Sequence, residues 1–155
     1  MIALDGFDMK ILGVLQENAA LTNQEIADRI GLSASQISRR RQRLEQDGVI
    51  RRYRAALEPE ALGLSVTAFV GVTLGAHSRE NARKFRNMVT AMPEVQEAHT
   101  LTGDVDYLLK IVVPDLKALS QIINDDLLPQ EAVQNVRSSI AMDTLKDDNF
   151  LPLTL

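Results

Sequence analysis

Residues 22–48 constrain this chain more than any other stretch. Thr22-Asn23-Gln24-Glu25 and Ser33-Ala34-Ser35-Gln36 each set a hydroxyl residue three positions before a Glu or Gln. In that pattern two side chains reciprocally satisfy backbone N–H groups at the start of a helix. Gly31 stands between them, where a helix can end in the left-handed conformation, and Leu32 fills the turn. Ile26, Ala27 and Ile30 form the inward stripe of the shorter helix. Ala34, Ile37 and Leu44 form that of the longer one, which runs to Asp47 and stops at Gly48. Two short capped helices joined by Gly-Leu-Ser are the sequence form of a helix-turn-helix.

A further helix precedes this pair. Asp5 can cap it, Asp8 lies near its positive end, and Leu4 and Met9 are placed as a hydrophobic staple. Phe7, Ile11, Leu12 and Leu15 share one face at helical spacing, and Asn18 with Ala19-Ala20-Leu21 ends the helix. Val49 to Leu57 reads as a strand or extended linker, and Pro59 starts a short helical turn that Gly63 ends. These signals divide the chain into residues 1–56, a linker over 57–63, and a second domain over 64–155.

Charge follows the same division. The whole chain carries −4, which is unexpected for a binder of nucleic acid. Residues 1–56 nevertheless hold nine basic against seven acidic side chains, and residues 57–155 hold eight against fourteen, so the halves carry +2 and −6. Within 33–54, seven arginines face only Glu45 and Asp47. A localised basic surface governs affinity for nucleic acid, and whole-chain charge does not report it. A solvated basic helix would show the same composition.

The second half repeats an outline. Leu64–Leu74 alternates, with Leu64, Val66, Ala68, Val70 and Val72 on one face and Thr67, Phe69, Gly71 and Thr73 on the other. Ser78 caps a helix with Ala82, Phe85, Val89 and Met92 inward, followed by Pro93 and a strand from Val95. Tyr107–Val113 is a third strand. Asp115 caps a second helix with Leu116, Leu119, Ile122, Ile123 and Leu127 inward, and after Pro129 a strand runs from about Val133 to Leu145. The order βαββαβ predicts a ferredoxin-like split motif with both helices on one face of an antiparallel sheet. Apart from Lys110, Tyr107–Val113 is apolar on both faces, which a solvated face disfavours. A second copy of the sheet is the simplest cover, so a two-fold dimer is expected. The fold class is therefore α+β: an N-terminal winged-type helix-turn-helix domain and a C-terminal ferredoxin-like dimerisation and effector domain.

On a helical wheel, Ser35, Gln36, Ser38, Arg39, Gln42 and Arg43 point outward from the longer helix, with Arg40 on the flank. Arg and Gln can bond two atoms of guanine or adenine in the major groove, and side chains near the start of a recognition helix reach the bases. Ser35, Gln36, Arg39 and Arg40 are assigned to base readout. Arg43, Arg51, Arg52 and Arg54 are assigned to phosphates, and Ser33 joins the DNA-binding set at the helix start.

Several motifs now stand in order: Leu4-Asp5-x-x-Asp8-x-x-Ile11-Leu12, Gly31-Leu32-Ser33, Arg43-Leu44-Glu45-x-x-Gly48-Val49-Ile50, and Tyr53. Together they resemble the leucine-responsive/asparagine (Lrp/AsnC) regulator family. Thr102-Gly103-Asp104-Val105-Asp106-Tyr107 resembles that family's Gly-x-x-Asp-Tyr segment in its effector domain. The resemblance spans essentially the whole chain. It implies an amino-acid-responsive prokaryotic transcription regulator, cytoplasmic and nucleoid-associated, built on dimers that assemble further, often as octamers. Arg41 departs from the pattern, which usually has an aliphatic residue there; it could snorkel past the core to a phosphate.

By the same resemblance, Gly103, Asp106 and Tyr107 line an effector site, with Thr102 and Asp104 beside them. Glycine permits close approach, carboxylates can meet an ammonium, and threonine hydroxyls can meet a carboxylate. A tight hairpin turn uses Gly-Asp equally well. Enzymatic readings are weak. His77, on a loop, and His99, on a strand, lack paired ligand spacing, Ser138-Ser139 has no nearby base, and no phosphate loop or dinucleotide fingerprint occurs. The chain is expected to be no enzyme and to need no cofactor or metal. The expected partners are double-stranded DNA, further copies of the chain and an amino acid. A ligand-sensing assembly module with a protein-binding helix-turn-helix is the alternative. No run reaches the roughly 18–20 apolar residues of a membrane span, and residues 1–5 lack the charged region of a signal peptide.

Overall fold

The computed structural model describes residues 2–75, 78–148 and 150–153. It divides into two compact units, one of residues 1–56 with 147–155, the other of residues 57–146.

The first unit holds α1 (Gly6–Glu17), α2 (Asn23–Ile30) and α3 (Ala34–Gln46). All three open with a reciprocal capping box, Asp5 with Asp8, Thr22 with Glu25, and Ser33 with Gln36. Each box satisfies donors that a helix start leaves unpaired. Gly31 closes α2 at φ +80°, so the chain reverses there into α3 without Cβ strain. Ile11, Leu15, Ile26, Ala27, Ile37 and Leu44 form the core, and each fully buried aliphatic side chain contributes about 1.5–3 kcal/mol. Val49 and Ile50 pack against it, and the Ile50 N–H donates to the Leu44 carbonyl at 3.0 Å. Beyond them residues 51–58 form no strand. The strand considered over Val49–Leu57 is absent, and the extended alternative describes the segment.

The second unit opens with a 3-10 turn, Glu60–Leu62, so residues 57–63 group with it. Its elements are β1 (Val66–Leu74), α4 (Arg79–Ala91), β2 (Val95–Thr100), β3 (Tyr107–Val113), α5 (Leu116–Gln121), a π-helical turn (Ile122–Leu127) and β4 (Val133–Ile140). The sheet order is β2-β3-β1-β4, with every neighbouring pair antiparallel, the βαββαβ topology expected. Ala68, Val70, Val72, Leu109, Ile111 and Val113 meet Phe85 and Val89 of α4, and Leu119, Ile122 and Leu127, in one core. Leu116, expected inward, is exposed, because the buried stripe begins at Leu119. β4 ends at Ile140, five residues short of the expected Leu145, and Met142 and Leu145 are fully solvated.

Cross-strand partners place Phe69, Leu108, Lys110, Glu97, His99 and Arg137 on the opposite face, which carries no helix of this unit. Phe69 is 42% exposed there. Lys110 and His99 flank Glu97 at 3.4 and 3.3 Å, and first the His99 hydrogen bond, then Lys110, holds the Glu97 carboxyl below its ordinary value. His77 lies outside the described residues.

The tail departs from the expected domain 64–155. Residues 147–155 group with the helix-turn-helix unit. Gln16 of α1 accepts from the Leu151 N–H at 2.7 Å and donates to the Leu151 carbonyl at 3.2 Å, while Leu153 reaches Gly13. A helix side chain thus pairs with the tail as a neighbouring strand would. Truncation after Lys146 is expected to lower the unfolding free energy of this unit by about 1–2 kcal/mol, read by urea denaturation with a probe in residues 1–56. An unchanged midpoint would show that the tail contact contributes nothing.

Candidate nucleic-acid interface and effector loop

Asp8 organises the helix-turn-helix. It is the third residue of α1 and is wholly buried, where an unpaired carboxylate would cost far more than a cap returns. One carboxylate oxygen accepts from the Asp5 N–H at 3.1 Å and also meets the Arg43 guanidinium, while the other accepts from Arg40 at 2.7 Å. Arg40 also donates to Asp5 at 2.7 Å and lies 5.6 Å from the Phe7 ring centroid. The Asp8 N–H and Arg40 hold the Asp5 carboxyl below its ordinary value, and Asp5 and Asp8 push the Arg40 guanidinium up.

This network corrects the base-reading set. Arg40 was placed among the base readers, but its side chain is 18% exposed and committed to α1. Its position, three residues after Ile37, aims it at the helix neighbour instead of outward. Arg43 is 46% exposed and shares Asp8 through one guanidinium nitrogen, which leaves its other N–H donors for a phosphate. Arg39 is exposed and makes no ion pair among the described residues. Ser35 is exposed, with its hydroxyl 3.0 Å from that of Ser33. The Gln36 carbonyl oxygen is occupied by the Ser33 N–H at 2.9 Å and the Ser33 hydroxyl at 3.1 Å, so a two-bond contact to adenine requires it to leave the cap. Arg51, Arg52 and Arg54 are exposed and free of ion pairs among the described residues.

Arg41 is half-buried and passes the core of the first unit to meet side chains near its surface. It donates to the Asn23 side-chain carbonyl at 2.9 Å and lies 5.3 Å from the Tyr53 ring centroid, while the Tyr53 hydroxyl donates to Glu45 at 2.8 Å. Burial, then the Glu45 bond, pushes the Tyr53 hydroxyl's pKa up. Asn23, Glu45 and Tyr53 were not expected in a chain of contacts with Arg41. Arg41's departure from the family pattern is the signal that pointed there.

In the second unit the loop 101–106 joins β2 to β3. Thr102, Gly103 and Asp104 are exposed, with Gly103 at φ +136°, a conformation side chains rarely adopt. Asp106 faces inward: its carboxylate accepts from the Leu74 N–H at 2.7 Å and its own N–H donates to the Val72 carbonyl at 3.0 Å. Val105 approaches Gly71 so closely that a Cβ there would meet it at 3.0 Å. Tyr107 is 8% exposed, and its ring packs on Phe85 at 4.7 Å between centroids, tilted 44°. Asp106 and Tyr107 were placed with the effector-lining residues. Here the carboxylate fastens the loop to β1, and the ring belongs to the core because Tyr107 opens β3 on the helix-covered face.

A capped helix-turn-helix with a free basic helix face, followed by a four-stranded sheet bearing two helices, defines a two-unit DNA-binding transcription regulator. Residues 4–51 match the family description Winged helix-turn-helix DNA-binding, and residues 67–151 match Lrp/AsnC ligand binding domain. The chain belongs to the Lrp/AsnC family of transcription regulators. It is 37% identical over 151 residues to the leucine-responsive regulatory protein of Haemophilus influenzae, covering 97% of this chain and 91% of that protein. With the leucine-responsive regulatory protein of Escherichia coli K12 it shares 36% identity over 148 residues, covering 96% and 90%. Among solved structures, a transcriptional regulator of Neisseria meningitidis in complex with L-Met superposes with a TM-score of 0.93 at 40% identity, covering 97% of each chain. An AsnC family regulator from Agrobacterium tumefaciens gives 0.91 at 39%, again over 97% of each chain.

Replacing Asp8 by Ala removes a cap and two charge-assisted bonds, so a loss of about 2–3 kcal/mol in the stability of the first unit is expected. A urea midpoint within error of wild type would contradict it. Because Asp5 titrates below its ordinary value, its stabilising contribution is complete above about pH 4 and is lost as pH falls through the folded value. In Arg40→Ala, NMR titration should find the Asp5 carboxyl moved up toward the ordinary range.

Proposed function

We propose that this regulator reads its operator as a homodimer through Ser35 and Arg39 of α3, with Ser33 and Gln36 at the helix start. Arg51, Arg52, Arg54 and Arg43 hold phosphates. The observation that carries this reading is the division among neighbouring arginines: Arg39 is exposed and makes no ion pair among the described residues, whereas Arg40 is tied to Asp5 and Asp8. Arginine on an exposed recognition-helix face can form two bonds to guanine O6 and N7. The helix-free sheet face of the second unit, with Phe69 and Leu108 among charged neighbours, pairs with the same face of a second copy. Dimers associate further into octamers, and the protein acts in the cytoplasm on the nucleoid as a regulator, not an enzyme. Among the described residues no helix is long and apolar enough to cross a membrane.

An amino acid is the effector. The L-Met complex of the Neisseria meningitidis relative supports this class of ligand. Thr102, Gly103 and Asp104 offer it a hydroxyl, an open backbone and a carboxylate, while Asp106 and Tyr107 hold the loop in shape. Coupling between such sites is typically about 1–3 kcal/mol, so operator affinity should change about 5–150-fold at saturation.

Replacing Arg39 by Ala should cost about 1–3 kcal/mol on the selected operator and relax preference at one base pair per half-site. Equal losses on operator and random duplex would remove Arg39 from base readout. For the effector, calorimetry with each of the twenty amino acids, repeated on Asp104→Ala, is the direct measurement. Binding by at least one, weakened in the variant, is expected; binding by none would refute the sensing half and leave the DNA half standing.

A further inference from the structure

Residues 51–57 carry three arginines that make no ion pair among the described residues, on a segment with no strand to hold it. Among the described residues no backbone hydrogen bond fixes any of residues 51–57. The basic side chains would therefore have to be ordered upon binding, at roughly 1–2 kcal/mol of backbone entropy per residue. Tyr53 is the exception. Its hydroxyl donates to Glu45 at 2.8 Å, and its ring receives the Arg41 guanidinium at 5.3 Å, itself fixed to Asn23 at 2.9 Å. Side chains of α2 and α3 thus grip one residue of the segment, with Arg51 and Arg52 before it and Arg54 after it.

We infer that Tyr53 is a positioning residue for phosphate binding, a clasp on Arg41 and Glu45 that holds the Arg51-Arg52-x-Arg54 segment beside the recognition helix before DNA arrives. The inference rests on the DNA-binding reading above and deepens it. It gives Arg41 a role: the cation is used as a seat for the ring, so it is not one of the phosphate contacts. Alternation in an extended chain sends Arg52 and Arg54 to the side opposite Tyr53. A ring held toward α3 therefore turns both away from the helix core.

The experiment uses the full chain and a random-sequence duplex, with binding constants measured across a salt series. Wild type, Tyr53→Ala, Tyr53→Phe, Arg41→Leu, a triple Arg51, Arg52 and Arg54 to Ala variant, and that triple variant with Tyr53→Ala are compared. Each phosphate contact contributes about −0.9 to the log-log slope. Tyr53→Ala should make the slope less steep by about one to three contacts per protomer and weaken binding about 5–30-fold at fixed salt. Arg41→Leu should fall in the same direction, and Tyr53→Phe, which keeps the ring, should lose less. In the triple background Tyr53→Ala should change the slope no further. Circular dichroism melts report whether each variant is folded, and Tyr53→Phe with Arg41→Leu carry the test if Tyr53→Ala is not. Weaker binding at an unchanged slope, or an undiminished loss in the triple background, would overturn the clasp. Wild type that binds no duplex at any salt would overturn the DNA reading and the clasp together; wild type that binds while Tyr53 variants keep its slope overturns the clasp alone.

Discussion

A buried carboxylate sets the geometry of the DNA-binding unit. Asp8 sits at 0% exposure with a backbone N–H and two guanidinium groups around it. No buried side-chain polar atom is left without a partner among the described residues. Such a cluster is weak evidence for stability, since an apolar replacement can match it. Its consequence is orientation. Because Arg40 and Arg43 meet the start of α1, α3 is fixed about its own axis, and successive arginines acquire different surroundings. Arg39 is left to solvent, Arg40 is held inside, Arg41 turns to Asn23 and Tyr53, and Arg43 is shared. Apolar packing of Ile37 and Leu44 alone would leave that rotation less sharply defined.

What the sequence made legible was local. The capping boxes at Thr22 and Ser33 span four residues each, so their chemistry is complete within about one turn and readable without the fold, whereas at Asp5 the cap was legible but the reciprocal bond from Asp8 was not. Alternation along β1 and β3 likewise follows from the two-residue period of a strand. The direction of Arg40 is not legible for the opposite reason: its partners lie 35 and 32 residues away, and a wheel places it on the flank, where either direction is open. Tyr107 shows the same limit. The loop motif ends on it, but strand register, not motif, decides which face its ring takes, and pairing with Thr100 puts it over Phe85. The tail's return to α1 through Gln16 had no local signature at all.

The second unit divides its loop in a comparable way. Asp106 and Val105 bind the loop down onto β1, through the Leu74 N–H and the bare surface of Gly71. Thr102, Gly103 and Asp104 remain outside. The inner residues are thereby continuous with both β3 and β1. Both units thus separate residues that hold the frame from exposed neighbours one or two positions away.

The central claim is that α3 turns Arg39, and not Arg40, toward the bases. Methylation interference at guanine N7 tests it directly, because an arginine reading guanine needs that atom. With wild-type protein on its selected operator, methylation of one guanine per half-site should block binding. With Arg39→Ala, at a protein concentration raised to restore occupancy, the same methylation should have no effect. An interference pattern that Arg39→Ala leaves unchanged would contradict the account.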